Sequence, residues 1–224
     1  MNTLRLQHRV TTAAEPTPRV GELAAMFGLG LDAERTVDIV PPIELELTVG
    51  RVVFLTGPSG SGKSTVLRLI AEQLRTERVI DIDRVVVPDG STLTELWDDP
   101  LADVLRRLSV VGLADAFMML RRPEQLSDGQ RFRLRLATAL REAERMSVAA
   151  ERDDNAFPVL LADEFCATLD RATARVISQG LAKWARASGV AIVVATTHDD
   201  LLEPLNPDAL VAQQLGGAIE VLTR

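Results

Sequence analysis

The chain has 224 residues, of which 46% are apolar and 25% charged, and its formal net charge is −7. This balance predicts a globular domain with a substantial core. The acidic charge argues against a constitutive nucleic-acid binder, although Arg131, Arg133 and Arg135 are a possible basic stripe. Cys166 is the single cysteine, so no internal disulfide is expected. No stretch has the apolar length that crosses a bilayer. We therefore expect a cytoplasmic protein, peripheral to a membrane only through a partner.

The first third of the chain changes from an irregular to a regular pattern. Residues 1–35 are predicted to be an N-terminal extension, in which Thr11–Pro18 has the composition of a linker. Apolar and polar residues alternate over Ile43–Val49, which indicates a half-exposed strand. The continuous apolar run Val52–Leu55 is typical of a strand buried on both faces. An amphipathic helix is expected directly after it, near Gly62–Leu74.

The middle of the chain is predicted to be mainly helical. Short strands are expected at Val79–Ile82 and Val85–Val87. Residues 91–147 carry Leu, Ala and Arg at helical spacing, and we interpret them as a helical subdomain inserted beside a sheet. The polar and acidic stretch of residues 148–158 is expected to be a loop.

The last third returns to buried strands. Val159–Ala162 and Val190–Ala195 are continuous apolar runs, and a helix is predicted between them over Arg171–Ala187, with Asp170 as its N-cap. Buried strands that alternate with helices indicate an α/β fold with a mostly parallel central sheet. We assign this domain to residues 36–224.

The strongest chemical signal is Gly57–Thr65, which matches G-x-x-x-x-G-K-[ST] between a buried strand and a helix. Glycines allow the backbone to wrap phosphates, so that successive N–H groups and the helix N-terminus face the anion. Lys63 is expected to reach the β- and γ-phosphates, and the Ser64 hydroxyl to bind Mg²⁺. The predicted ATP-binding residues are Gly57, Ser59, Gly60, Ser61, Gly62, Lys63, Ser64 and Thr65.

An acidic pair, Asp163-Glu164, ends the buried strand Val159–Ala162. A carboxylate at the end of a strand beside the P-loop strand suits a contact with Mg²⁺, which we assign to Asp163. Glu164 can then act as the general base that activates the attacking water. The alternative interpretation is an ordinary acidic pair that starts a loop.

Leu126-Ser127-Asp128-Gly129-Gln130 resembles the signature of ATP-binding-cassette (ABC) ATPases, which is usually Leu-Ser-Gly-Gly-Gln. Val111–Asp115 resembles the approach to that signature. Ala167–Asp170 resembles the D-loop of the same family, and His198 resembles its switch histidine. The resemblance covers about residues 36–223, with the motifs in the family's order.

The resemblance implies a P-loop NTPase fold with an antiparallel β subdomain and a small inserted helical subdomain. It also implies that two subunits, a homodimer or a pseudo-dimer with another ABC subunit, enclose ATP head to tail. Ser127 and Gly129 would contact the γ-phosphate in trans, with Gln130 and Asp170 in the same nucleotide site, and His198 would sense the γ-phosphate. A plain helix N-cap at Ser127 is compatible with this role, and a structural histidine is the alternative for His198.

Three features depart from the family pattern. An aromatic residue upstream of the P-loop usually stacks on adenine; the chain has no tyrosine, and Phe27 is the candidate, with a core phenylalanine as the alternative. The family's Mg²⁺-binding glutamine is missing from Val86–Gly90, where Asp89 is the nearest polar equivalent. Phe165-Cys166 stands where a proline is common, and we assign Cys166 no chemistry.

Four functions are compatible with these motifs. The first is a soluble ABC ATPase that works as a nucleotide-driven dimer, similar to a poorly characterised group whose members are sometimes fused to an acetyltransferase-like domain. The second is the ATP-binding subunit of an ABC transporter, with a membrane permease as partner. A DNA-repair or chromosome-associated ABC ATPase is the third, although residues 66–125 leave no room for a long coiled coil. A non-catalytic nucleotide-binding module is the fourth.

Overall fold

The computed structural model describes residues 2–12, 15, 17–30, 35–74, 78–150 and 157–224. Strands and helices follow one another along these residues as β1 Asn2–Thr12, α1 Pro18–Met26, β2 Arg35–Leu47, β3 Val52–Thr56, α2 Lys63–Gln73, β4 Val79–Asp81, α3 Leu101–Val110, α4 Ala116–Met119, α5 Asp128–Ala150, β5 Val159–Ala162, α6 Arg171–Ser188, β6 Ala191–Thr196, α7 Leu202–Leu205, β7 Ala209–Gln213 and β8 Ile219–Thr223.

A six-stranded sheet carries the site, with the strand order β4-β5-β6-β3-β7-β8. All neighbours pair in parallel except β7 and β8, which form an antiparallel hairpin. The central strands β3, β5 and β6 are short apolar runs that are buried on both faces, with one hydrophobic cluster against each face of the sheet. Because parallel strands end at the same edge, the segments that follow β3, β5 and β6 meet there. The predicted α/β fold with a mostly parallel sheet is confirmed.

β1 and β2 form a separate antiparallel ribbon, paired from Asn2↔Leu47 to Thr12↔Arg35, with irregularities near His8. Residues 2–12 therefore belong to a β subdomain, and the linker expected from Thr11 is wrong at its start because Thr11 and Thr12 lie in β1. Apolar residues alternate with polar ones only around Leu4 and Leu6, which are buried while most of β1 is exposed. A strand held mainly by its partner's backbone carries little pattern of its own.

The structure differs from the prediction after β4 as well. Val85–Val87 is not a strand: a short 3₁₀ turn, Ile82–Arg84, follows β4, and the chain then runs irregularly. Val85 and Val87 still pack against the core, which explains their apolar character without a strand partner. Helix α3 begins only at Leu101, so the first residues of the predicted helical block are turns.

The prediction of a loop over residues 148–158 is wrong for its first residues, since α5 extends to Ala150. A long amphipathic helix continues here because Ala149 and Ala150 are good helix formers. Residues 157 and 158 have no regular structure, as expected. The remainder of that prediction, residues 151–156, lies outside the described residues.

A buried polar network joins the helical region to α6. Arg107 donates to Asp99 at 2.7 Å and to Glu144 at 2.6 Å, while Arg141 donates to Asp99 at 2.6 Å. Trp184 Nε1 donates to the other oxygen of Glu144 at 2.9 Å. The Arg107 side chain is only 7% exposed, so this network fixes α3 and α5 against α6.

No helix within the described part of the chain is long and apolar enough to cross a membrane.

Candidate active site

The P-loop owes its shape to three glycines with positive φ, Gly57 at +145°, Gly60 at +79° and Gly62 at +102°. Residues other than glycine rarely adopt these φ angles. A Cβ atom on Gly57 would also collide with the carbonyl oxygen of Gln213. Gly62 is the N-cap of α2 and provides no side-chain cap. The first N–H groups of α2 therefore remain free for an anion.

Lys63 lies inside the loop and is 8% exposed. Its Nζ donates to the carbonyl oxygens of Gly57 at 2.7 Å and of Pro58 at 2.8 Å. Burial lowers the pKa of Lys63, and the charges of Asp163 and Glu164 oppose that change. The ammonium group is thus held by two backbone carbonyls close to the acidic pair.

A cavity of about 480 Å³ lies at the edge where the parallel strands end. Its lining brings together three segments that are distant in sequence, the P-loop, the acidic pair after β5 and the end of β6, through Ile39, Ser59, Gly60, Gly62, Lys63, Ser64, Thr65, Asp163, Glu164, Ala167, Thr196 and Thr197. His198 follows Thr197 but is not among these lining residues. Its backbone N–H donates to Thr196 Oγ1 at 3.3 Å, so the strand end positions it beside the cavity.

Asp163 and Glu164 form a tight turn after β5. Glu164 has a left-handed φ of +42°, its N–H donates to Asp163 Oδ1 at 2.9 Å, and the N–H of Phe165 donates to Ala195 of β6 at 2.9 Å. The turn leaves the Glu164 side chain exposed at the cavity. Cys166 is fully buried, and burial raises its thiol pKa to about 12.

The residues around Lys63 fit a magnesium ion. Ser64 and Asp163 line the same cavity and offer the hydroxyl and carboxylate oxygens that Mg²⁺ prefers. Mg²⁺ in phosphate sites is commonly held by one or two protein oxygens, together with water and the phosphates. The described residues contain no cluster of three or more His, Cys, Asp or Glu side chains that could hold a metal ion by themselves.

The signature begins helix α5 in a reciprocal cap. Gln130 Oε1 accepts from Ser127 N–H at 3.0 Å, and Ser127 Oγ accepts from Gln130 N–H at 3.4 Å. A Cβ atom on Gly129 would lie 3.0 Å from Leu169, within the segment that resembles the D-loop. Ser127, Gly129 and Gln130 are absent from the lining of the P-loop cavity. Within one chain, the signature and the P-loop are therefore separate features.

Asp170 caps α6, as predicted. Its side chain accepts from Thr173 N–H at 2.9 Å, and hydrogen bonding from Thr173 holds the pKa of this carboxyl below its usual value. The helix ends at Ser188, where Gly189 adopts the left-handed conformation at φ +75°. The local sequence therefore predicted where α6 begins and ends.

Phe27 and Asp89, the candidates for adenine stacking and for the missing glutamine, do not line the cavity either. Phe27 caps the end of α1 and is 71% exposed; Ile39 of β2 lines the cavity instead, so adenine stacking by Phe27 stays a prediction. Asp89 is exposed and lines neither cavity.

Asp83 is the carboxylate that sequence reasoning missed. A second cavity, of about 750 Å³, is lined by Asp83 together with Ser64 and Asp163. Partial burial raises the pKa of Asp83, and the negative charge of Asp81 adds to this effect, against the opposing charge of Arg135. The sheet order could have found Asp83, because β4 pairs in parallel with β5 and their ends are adjacent.

The three alternate arginines of α5 do not form a shared basic surface. Arg131 pairs with Asp128 at 3.1 Å and Arg135 with Asp83 at 3.5 Å. Arg133 donates to the carbonyl oxygen of Gly112 at 2.7 Å. Each contacts a different structural element.

Comparisons with known proteins show the family of this chain. A family model described as an AAA domain matches residues 48–203. The lipoprotein-releasing system ATP-binding protein LolD of Novosphingobium aromaticivorans is 30% identical over an alignment that covers 84% of this chain and 92% of LolD. The chain belongs to the ABC ATPase family. As an ABC ATPase it is an enzyme that binds and hydrolyses ATP.

Other relatives of this ABC ATPase carry related names. An uncharacterised ABC transporter ATP-binding protein, MJ0796 of Methanocaldococcus jannaschii, is 28% identical over 74% of this chain and 81% of its own length. A dimeric structure of the MJ0796 cassette in a post-hydrolysis state, bound to ADP and Pi, matches with a TM-score of 0.61 at 20% identity, covering 85% of this chain and 93% of that one. The likeness confirms the fold, including the antiparallel subdomain beside the mostly parallel sheet.

Proposed function

We propose that two copies of this ABC ATPase, or one copy and a related subunit, enclose ATP head to tail and hydrolyse it with Mg²⁺. One observation carries this proposal: the P-loop cavity contains Lys63, Asp163 and Glu164 but not the signature of its own chain. A signature from a second subunit would complete it. The described dimer of MJ0796 with ADP and Pi supports this arrangement by similarity.

Each residue around the cavity has a distinct task in the proposed reaction. Lys63 leaves the carbonyls of Gly57 and Pro58 and pairs with the β- and γ-phosphates. Ser64 and Asp163 hold Mg²⁺, which neutralises phosphate charge when bound. These groups orient the nucleotide so that the γ-phosphorus faces the acidic turn.

Glu164 accepts a proton from the attacking water, whose oxygen bonds to the γ-phosphorus while the bond to the β–γ bridging oxygen breaks. The products are ADP and inorganic phosphate. Glu164 suits this task because its side chain is exposed at the cavity and its backbone is fixed by Asp163. His198, directly after Thr197, is the residue we assign to contact the γ-phosphate. Ser127, Gly129, Gln130 and Asp170 of the partner subunit complete the site.

The variant Glu164→Gln tests this proposal, because an amide cannot accept the proton but keeps the side-chain shape. We expect steady-state hydrolysis to fall by about a hundredfold or more, and the variant to accumulate as an ATP-bound dimer in light scattering. Glu203→Gln, on exposed α7 where Glu203 pairs with Arg175, is the matched control and should keep normal activity. Undiminished hydrolysis by Glu164→Gln would contradict the role of Glu164, and a monomer at saturating ATP would contradict the sandwich.

A transporter subunit is a second candidate, favoured by the names of the relatives. Besides LolD, a methionine import ATP-binding protein, MetN 3 of Pectobacterium atrosepticum, is 27% identical over 75% of this chain and 55% of its own length. An assembly without a permease is favoured by the glutamine missing from Val86–Gly90. Asp83, which precedes that segment, lines a cavity with Ser64 and Asp163. The comparisons lend no support to an acetyltransferase-like association.

A pull-down with the Glu164→Gln form in ATP separates these candidates. Recovery of a membrane permease identifies a transporter subunit, and an ATP-dependent dimer that recovers none identifies an assembly without a permease. Salt-dependent DNA binding by the same dimer would instead favour a DNA-associated ATPase.

A further inference from the structure

Gln213 is a buried amide beneath the P-loop without a hydrogen-bond partner. It is the last residue of β7 and is 2% exposed. Within the described residues, neither its Oε1 nor its Nε2 has a partner, and the same holds for Ser61 Oγ, whose residue is 5% exposed. A buried amide that stays unpaired costs stability, which an apolar side chain of similar size would not. These three atoms therefore need an explanation.

The position of Gln213 follows from the sheet. Ala212 of β7 lies opposite Thr56 of β3, so Gln213 comes next to Gly57, the first residue of the loop. Its backbone carbonyl occupies the space where a Gly57 side chain would be, and its Nε2 lies 3.4 Å from the corresponding Cβ position on Gly62. Gln213 thus lies against Gly57 and Gly62, two of the three positive-φ glycines of the P-loop. Ser61 Oγ lies 2.9 Å from the Gly57 Cβ position, on the same side.

The hydrogen bonds of Lys63 explain why the side-chain amide of Gln213 is unpaired. The Lys63 ammonium group donates to the carbonyl oxygens of Gly57 and Pro58. When Lys63 turns to a phosphate, the half-buried Gly57 loses this donor at its carbonyl oxygen, whereas the exposed Pro58 keeps the Ser61 N–H at 3.2 Å. A second donor to Gly57 would offset that loss.

We propose that Gln213 is a positioning residue of the ATP site. Its amide nitrogen replaces Lys63 as the donor to the Gly57 carbonyl when the lysine binds phosphate, and the Ser61 hydroxyl donates to its Oε1. Gln213 thereby holds the loop in its phosphate-binding shape without touching the nucleotide. This inference rests on ATP binding by the P-loop, but it does not depend on the dimer.

The test compares Gln213→Met with its parent in the Glu164→Gln background, where ATP is bound but not turned over. We expect the affinity for MgATP, measured by titration calorimetry, to weaken about five- to tenfold, the value of one or two net hydrogen bonds. The urea midpoint without nucleotide should be unchanged or higher, because an unpaired buried amide has been removed. A residue that only fills space would lower both together. Gln214→Met, at the exposed neighbouring position, is the matched control and should change neither.

A double-mutant cycle with Ser61→Ala tests the pairing itself. Ser61→Ala should weaken ATP binding when Gln213 is present and have little further effect in Gln213→Met. Three results would each overturn the inference. The first is equal ATP affinity of Gln213→Met and its parent, and the second is a Gln213→Met variant that loses stability without nucleotide or does not fold. The third is strictly additive effects of the two substitutions on ATP affinity. If the Glu164→Gln parent bound no ATP, the proposed function would fail. If the parent bound ATP and Gln213→Met bound it equally well, only the inference about Gln213 would fail.

Discussion

Gly129 of the signature lies directly against Leu169: a Cβ atom on Gly129 would be 3.0 Å from Leu169 Cδ2 and 3.4 Å from the carbonyl oxygen of Thr168. The signature and the segment before α6 therefore form one surface. In the proposed dimer this surface faces the nucleotide of the other subunit, so that its shape affects hydrolysis although it lies outside the chain's own P-loop cavity.

The variant Gly129→Ala should separate ATP binding from hydrolysis. The added methyl group displaces Leu169 or the start of α5 by a few tenths of an ångström, and we expect hydrolysis to fall about tenfold, since small misplacements are costly in catalysis. ATP binding to the monomer should persist, because alanine favours a helix over glycine by about 1 kcal/mol and the fold is kept. Gly30→Ala is the control, since its Cβ would meet nothing within 4 Å. Full activity of Gly129→Ala would show that this contact is unimportant.

Asp83 and Asp89 make a second test, because the structure and the sequence favour different residues in place of the missing glutamine. Asp83 lines a cavity with Ser64 and Asp163, whereas Asp89 does not. We expect Asp83→Asn to raise the Mg²⁺ concentration for half-maximal hydrolysis about fivefold, the value of one net hydrogen bond. Asp89→Asn should leave it unchanged. The reverse result would support the choice made from sequence.

Asp128 places a negative charge in the signature, 90% exposed and paired with Arg131. In the proposed dimer this charge lies close to a triphosphate, so Asp128→Asn should strengthen ATP-driven dimerisation about threefold at low salt, less at high salt because exposed charges are screened. Stability should fall by about 0.3–1 kcal/mol, since an acidic residue favours a helix N-terminus. Light scattering of the Glu164→Gln form across ATP concentrations measures the effect. Weaker dimerisation would mean that the Asp128–Arg131 pair itself serves the interface.

Asp99 should contribute to stability in a pH-dependent way. Hydrogen bonding from Arg141 is the main reason why the pKa of Asp99 is lowered, and the charge of Arg107 adds to it. Because the folded-state pKa is lowered, the stabilisation is present above the unfolded pKa of about 4 and is lost as the pH falls through the folded value. Asp99→Asn should reduce the free energy of unfolding by roughly 2 kcal/mol at neutral pH.

Urea unfolding at neutral pH and below the unfolded pKa checks this prediction. The difference between wild type and Asp99→Asn should shrink in acid, whereas the exposed neighbour Asp98, changed to Asn, should have little effect at either pH. A difference that stayed constant with pH would show that the charge of Asp99 is irrelevant.

Part of this structure could be predicted from the sequence because it depends only on neighbouring residues. The P-loop, the acidic pair after β5 and the cap of α6 by Asp170 were all located correctly along the chain. Each is defined by neighbouring residues. Examples are a glycine at a positive φ and a carboxylate that accepts a hydrogen bond from an N–H group two or three residues later. Buried strands were equally clear, because their apolar runs need no knowledge of their partners.

The errors arose where a feature depends on a distant partner. β1 was missed because its pairing with β2 crosses the long excursion between Thr12 and Arg35. The sequence suggests only Asp89 near the missing glutamine, whereas the order β4-β5-β6-β3 brings Asp83, just after β4, close to Asp163. Gln213 carries no signal in the sequence, because only the parallel pairing of β7 with β3 places it beside the P-loop.

By itself, the sequence determined the phosphate-binding loop, the acidic turn and the family resemblance, because these are short runs whose backbone chemistry is local. The tertiary structure alone decided which of these groups share one cavity, that the signature lies outside it, and that Asp83 and Gln213 adjoin the site. The physical reason is that parallel strands gather residues from distant parts of the chain at one edge of the sheet, and strand order is set by packing of the whole domain.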